Sequence, residues 1–254
     1  MTDKLSFHRR VVGLGHYLLA RLGDDDRTHY TRDYRRLVRS LMARYPLDEA
    51  MQRAVGGQYE EMGRLQSGLL IEAGLRDGHH LLDLGCGSGR LAHTLKDLRS
   101  IDYLGVDIIP ELLAYARTQA AAHYRFVLNT KLTLPVADGQ FDMASAFSLF
   151  THLHHEETFL YLQEIRRALR PGGRLVFSFL EFRAPEQWHV FRSSAEAVSA
   201  ARRVHLDMFI ERSAIDVWCQ HLGFERERFV GPGEDGPGGV LGQSVAVLRR
   251  TEAA

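Results

Sequence analysis

Apolar residues follow two periodicities along this chain, and the change from one to the other comes near residue 80. Before it, apolar positions recur at helical spacing. Over residues 30–45, Leu37, Val38, Leu41, Met42 and Tyr45 form one stripe, Arg32, Arg35, Arg36 and Arg39 fall mostly off it, and Pro46 ends the run. Helices are also predicted at 8–22, at 48–55 up to Gly56-Gly57, and at 59–73, where Gly74 suits the position just past a helix end. From Leu81 onward, short apolar runs alternate with helical stretches. The runs predict strands at 81–84, 103–107, 124–128, 141–147, 173–180, 224–230 and 244–249, with helices at 88–98, 110–121, 156–169 and 213–222. Strand, helix, strand at this rhythm gives βαβ units and a mostly parallel sheet. The last two strands are joined by the glycine- and proline-rich run 231–239 with no helix between them, so that pair is expected to be antiparallel. The expected organisation is α/β, with a helical N-terminal cap over 1–57 and a second unit over 58–254 that carries an insertion at about 181–212.

The most informative stretch is His80-Leu81-Leu82-Asp83-Leu84-Gly85-Cys86-Gly87-Ser88-Gly89-Arg90. An apolar run with no turn residue suits a strand buried on both faces, and the glycines after it suit a tight turn into a helix that begins near Ser88. A dinucleotide fingerprint would need its third glycine at position 90, which is Arg, so the spacing is G-x-G-x-G. A nicotinamide oxidoreductase is disfavoured on that ground. A second carboxylate, Asp107, ends the predicted strand Tyr103–Asp107, 22 residues after Gly85, where it is able to accept hydrogen bonds from both hydroxyls of a ribose.

Asp83 before the glycine turn, Asp107, the run Phe141–Ser148 and the Leu169-Arg170-Pro171-Gly172-Gly173-Arg174-Leu175 segment stand in the order of the class I S-adenosylmethionine-dependent methyltransferases, which the chain resembles over about residues 58–180. The resemblance implies a Rossmann-like seven-stranded sheet, mostly parallel with an antiparallel last strand, and S-adenosyl-L-methionine as cofactor. It places Asp83, Gly85, Cys86, Gly87, Asp107, Ile108 and Phe147 at that cofactor. One position departs: where the family often has an Asp facing the adenine amino group, this chain has Asn129 and Thr130, so backbone and the Asn129 amide are the expected substitutes. Tyr59 and Arg64, in the segment that leads into the second unit, are candidates to close over the cofactor.

Composition narrows the choice of partner. The 254 residues contain 32 basic and 32 acidic side chains, so no global field favours a polynucleotide or a membrane, although Met1 to Tyr45 carries ten Lys/Arg against five acids. Such a basic face is able to steer a phosphorylated or carboxylated acceptor. Cys86 and Cys219 are the two cysteines, which argues against a disulfide framework or zinc cluster and fits a reducing, cytoplasmic setting. Val11 to Ala20 loosely mimics a leader, but His16 interrupts it, no cleavage site follows and ten residues do not span a bilayer.

After the fourth strand comes Phe150-Thr151-His152-Leu153-His154-His155-Glu156, where the family places its acceptor. His152 is the preferred general base, with His155 or His154 behind it. No acidic residue follows that strand directly, so no metal is expected. The family's amino-methylating and cytosine-methylating enzymes carry Pro-Pro and Pro-Cys motifs there, whereas this chain has Phe147-Ser148-Leu149-Phe150, so a nucleic-acid substrate is not expected. Phe182, Trp188, Phe191 and Phe209 in the insertion suit a roof over a small-molecule or glycan acceptor. The expected activity is O-methylation by direct in-line transfer; the alternatives are a nitrogen or carbon acceptor, or a module that binds the cofactor without catalysis.

Overall fold

A computed structural model describes residues 29–201, 206–232 and 241–252; the helix expected at 8–22 lies outside these. Three helices come first, α1 (His29–Met42), α2 (Leu47–Ala54) and α3 (Tyr59–Glu72). The alternating region follows as β1 (His80–Leu84), α4 (Arg90–Leu98), β2 (Asp102–Asp107), α5 (Pro110–Gln119), β3 (Arg125–Leu128), β4 (Phe141–Ala146), α6 (His155–Ala168) and β5 (Leu169–Phe179). Helices α7 (Pro185–Ser199) and α8 (Arg212–Leu222) then lead to β6 (Phe224–Val230) and β7 (Ser244–Arg250).

The seven strands lie in the order β3-β2-β1-β4-β5-β7-β6. Strands β1 to β5 pair in parallel, and β7 runs antiparallel to both of its neighbours. The α/β class, the mostly parallel sheet and the antiparallel final strand are therefore as expected. Both faces of the sheet are buried: Leu82, Leu104, Ala144 and Phe177 face one apolar core, while Leu81, Tyr103, Met143 and Val176 face the other. That alternation explains the unbroken apolar runs, since a parallel sheet with helices on both sides has no solvent face. Strand order reverses between β1 and β4, so the crevice beyond the carboxyl ends of β1, β2 and β4 lies at the topological switch point.

The sheet edges are protected in different ways. Strand β3 has only four residues. Along β6, Arg226 pairs with Asp216, Glu227 with Arg174 and Arg228 with Glu72, so this edge carries a closed set of charges rather than bare apolar surface. Among the described residues, no helix is long and apolar enough to cross a membrane.

The N-terminal helices pack against α5 and the glycine turn and line the cavity from there. Val38, Met51, Ala54 and Tyr59 form a separate apolar cluster with Ile109, Leu112 and Tyr115 at and on α5. Hydrogen bonds tie them to the glycine turn and the residue after it: Ser88 Oγ donates to Met51 O at 3.0 Å, Tyr59 Oη to Ser88 O at 2.9 Å, and Arg90 Nη1 to Val55 O at 2.7 Å. Helix α7, inside the stretch read from sequence only as an insertion, buries Gln187 and leaves Trp188 and Phe191 half exposed.

Candidate active site

The turn after β1 sets the geometry. Gly85, Gly87 and Gly89 have φ of +73°, +55° and +84°, a left-handed backbone that side chains disfavour. A Cβ on Gly87 would also stand 2.7 Å from Val55 Cγ1, and one on Gly89 2.8 Å from the Ala116 Cβ. Packing of the cap and of α5 therefore fills the room that the missing side chains leave at Gly87 and Gly89. Above the turn lies a cavity of about 390 Å³ lined by Asp83 to Gly87, Arg90, Asp107, Ile108, Asn129, Phe147, Ser148, His152 and Gln243, with Tyr34, Val55 and Gln66 closing it from the N-terminal helices.

Asp107 ends β2. Its Oδ2 accepts the Gly87 N–H and its Oδ1 the Ile109 N–H, each at 2.9 Å, so each oxygen keeps a lone pair beyond the one the backbone uses. Burial raises its pKa and those N–H donors oppose the rise. Asp83 accepts from Tyr103 Oη at 2.5 Å and Ser145 Oγ at 2.8 Å. Burial nevertheless pushes its carboxyl up to about 6. Cys86 is buried and its thiol is pushed well above its usual range, which suits packing rather than nucleophilic attack.

Arg90 is the feature that the sequence reading did not weigh as part of the site. Its Nη1 binds Val55 O, and the oxygen of the Gln66 amide accepts from Nη2 at 3.0 Å and Nε at 3.2 Å. A guanidinium has five N–H donors, and two of these have no partner among the described residues; no carboxylate there stands within ion-pair distance. Burial lowers its pKa, and Tyr34, Asp83 and Tyr59 oppose the fall. One end of the cavity thus holds a largely buried cation and a buried acid without a direct ion pair.

The remaining expected residues divide. Ile108, Phe147 and His152 line the cavity, as does Asn129, but the Asn129 amide is occupied by its own turn, with Nδ2 donating to Lys131 O at 3.1 Å and Thr133 O at 2.8 Å. Thr130 is not on the cavity wall. His155 turns away: its Nε2 meets Phe209 O at 3.0 Å and its ring packs edge-on against Trp218. His152 Nδ1 stands 2.9 Å from Leu206 O; a carbonyl only accepts, so Nδ1 donates there. Arg64 lies on the surface beside Glu60, and Tyr59 spends its hydroxyl on Ser88. Arg32, Arg35, Arg36 and Arg39 line a separate groove on the outer side of α1.

A seven-stranded sheet in this order, with a glycine turn and an acid at the tips of its first two strands, defines the class I S-adenosylmethionine-dependent methyltransferase fold, and S-adenosylmethionine is the cofactor of that class. Residues 81–173 match the family model described as a methyltransferase domain. Over 108 residues it is 33% identical to the O-methyltransferase resE of Aspergillus sclerotiorum, covering 41% of this chain and 40% of that protein. Over 110 residues it is 40% identical to the demethylmenaquinone methyltransferase of Thermus thermophilus, covering 41% and 48%. The chain thus spans less than half the length of these relatives. Among solved structures, a TehB-like SAM-dependent methyltransferase from Corynebacterium glutamicum superposes with a TM-score of 0.55 at 21% identity, over 88% of this chain and 98% of that one.

Proposed function

We propose that the protein transfers the methyl group of S-adenosylmethionine to an oxygen of a small molecule or glycan. The observation that carries this reading is the charge layout of the cavity. At one end Arg90 offers two N–H donors suited to a carboxylate, and Asp83 offers a negative charge suited to an ammonium, a match for the zwitterionic end of a methionine. Across the glycine turn, Asp107 offers two oxygens suited to a ribose diol, and Ile108 and Phe147 supply apolar wall. The residues present therefore fit the cofactor. The Asn129 amide is committed elsewhere, which leaves backbone groups for the adenine edge.

When bound, the cofactor supplies a methyl on a positively charged sulfur, so the acceptor's lone pair becomes the new O–C bond while the C–S electron pair remains with sulfur. The chain's part is to orient the acceptor and take its proton. His152, on the cavity wall and held through Nδ1 by Leu206 O, is the base in this reading. The acceptor being oxygen is supported by the kinship with proteins named O-methyltransferases.

The test has two stages. Calorimetric titration with S-adenosylhomocysteine and with NAD is expected to show binding of the first alone; binding of NAD alone would overturn the reading. A labelled-methyl screen against sugars, nucleotide-sugars, phenols and carboxylic acids is then expected to give a labelled oxygen product.

A further inference from the structure

Ser148, just past β4 on the cavity wall, is one of three non-glycine residues with positive φ among the described residues, at +55°. Strain of this kind persists where surroundings impose it, and it concentrates at functional sites. The conformation points the Ser148 backbone N–H at Ser178 Oγ, 2.7 Å away. An N–H only donates, so Ser178 Oγ is the acceptor there, and its own proton must go to another partner. That partner is a Gln243 amide atom 2.6 Å away, which must therefore be the oxygen, Oε1. Ser148 Oγ lies 3.2 Å from the same oxygen. The buried Ser178 hydroxyl and the Ser148 hydroxyl on the wall thus fix which way the Gln243 amide faces. Gln243 lines the cavity, and its Nε2 has no partner among the described residues.

We propose that Gln243 Nε2 is the donor that holds the acceptor's oxygen, and that it selects an oxygen acceptor over a nitrogen one. The proposal rests on the methyl-transfer reading and names the substrate class of the same site. Its chemistry lies in lone pairs. An oxygen nucleophile accepts the Nε2–H on one pair and keeps another to form the bond to carbon, its proton leaving to the base. A neutral arylamine offers a single pair that is conjugated into the ring and accepts a hydrogen bond poorly, and wherever the donor does occupy it no pair is left to attack. Gln243 comes from the residue just before β7, Ser178 from β5 and Ser148 from the loop after β4, so the trio exists only through the antiparallel placement of β7 beside β5.

The test uses the full chain, ¹⁵N-labelled, with and without S-adenosylhomocysteine, titrated with phenol, benzoate and the nitrogen counterpart aniline. The Gln243 side-chain NH₂ signal is assigned by its loss in Gln243→Glu, which keeps an oxygen for both hydroxyls and replaces the donor with a charged oxygen. Phenol and benzoate are expected to shift that signal and to bind about tenfold or more tightly than aniline, as one good hydrogen bond allows. Gln243→Glu is expected to weaken the oxygen probes by a similar factor with S-adenosylhomocysteine affinity unchanged. Ser178→Ala, which frees the amide to turn, is expected to narrow the oxygen-over-nitrogen ratio. A signal unmoved by both oxygen probes, or moved equally by aniline, overturns the proposal. Absence of S-adenosylhomocysteine binding overturns the methyl-transfer reading, whereas that binding with an unmoved amide signal removes only the role of Gln243.

Discussion

Asp83 carries a cost that the apo protein can be made to shed. Burial outweighs its bonds from Tyr103 and Ser145 and the pull of Arg90, and it raises the carboxyl from an ordinary 3.8 to about 6. An acid whose folded-state pKa lies above its unfolded value holds its proton more tightly when folded. Folding therefore takes up protons between these two values, and stability falls as pH rises through that window. Above it the whole penalty is present, and a rise of roughly two pKa units at about 1.4 kcal/mol each amounts to ~3 kcal/mol. Asp83→Asn removes the charge and keeps the shape: its carbonyl accepts from Tyr103, and its NH₂ donates to the Ser145 hydroxyl once that rotor turns. The variant is expected to exceed the wild type by about 1–3 kcal/mol at pH 8, with the gain fading below about pH 4. Urea unfolding of the cofactor-free proteins across that range measures it. The same change is expected to weaken S-adenosylhomocysteine binding, because the ammonium loses its counter-charge. A variant no more stable at pH 8, or a difference flat with pH, would refute the reasoning.

Further outcomes follow from the same geometry. Asp107→Ala removes the acceptor for two backbone N–H groups and for the ribose, and is expected to weaken S-adenosylhomocysteine binding by about 1.5–3 kcal/mol, read by calorimetry; unchanged affinity refutes that role. Gly87→Ala is expected to cost about 1–3 kcal/mol in urea unfolding, because φ is +55° and the new Cβ would press on Val55. His152→Ala is expected to lower turnover and leave cofactor affinity unchanged, whereas full activity removes it as the base. Arg90→Met is expected to reduce both apo stability and cofactor affinity, since its guanidinium holds Val55 and Gln66 as well as facing the cavity.

Strands β1, β2, β4 and β7 were readable from sequence because they are buried on two faces, which turns each into a largely apolar run bounded by turns. Helix α7 was not, and the reason is visible in what it buries. Periodicity finds a helix by its apolar core-facing stripe, but Gln187 is the buried residue of α7, its side chain bonding the backbone of Glu181 and Gly242, while Trp188, Phe191 and Val198 stay exposed. The buried Glu181 that anchors this corner, paired with Arg212 and Ser244, is equally silent in a hydropathy pattern.

Within the site, legibility follows contiguity. The glycine turn and Asp107 were found because each is a short motif at a strand tip, and the sheet's parallel register between β1 and β2 brings such tips side by side. Arg90 stood in the same motif and was still missed, because its sequence signal was only the absence of a glycine; its meaning comes from burial without an anionic partner. Asn129 misled in the opposite direction. An Asn that begins a turn competes for its own backbone, and the short path from Asn129 to Thr133 lets that competition win over an outside ligand. Gln243 is out of reach of any local reading. It meets Ser148 across 95 residues and Ser178 across 65, and what orients it is a proton count on a hydroxyl that the strained Ser148 backbone has already claimed. The end of the cavity at Asp83 and Asp107 is thus built mainly from residues at and after the tips of β1 and β2, whereas the end at Ser148 and Gln243 is assembled from β4, β5 and β7. A sequence therefore announces the first and hides the second, so the class of reaction is legible long before the molecule it acts on.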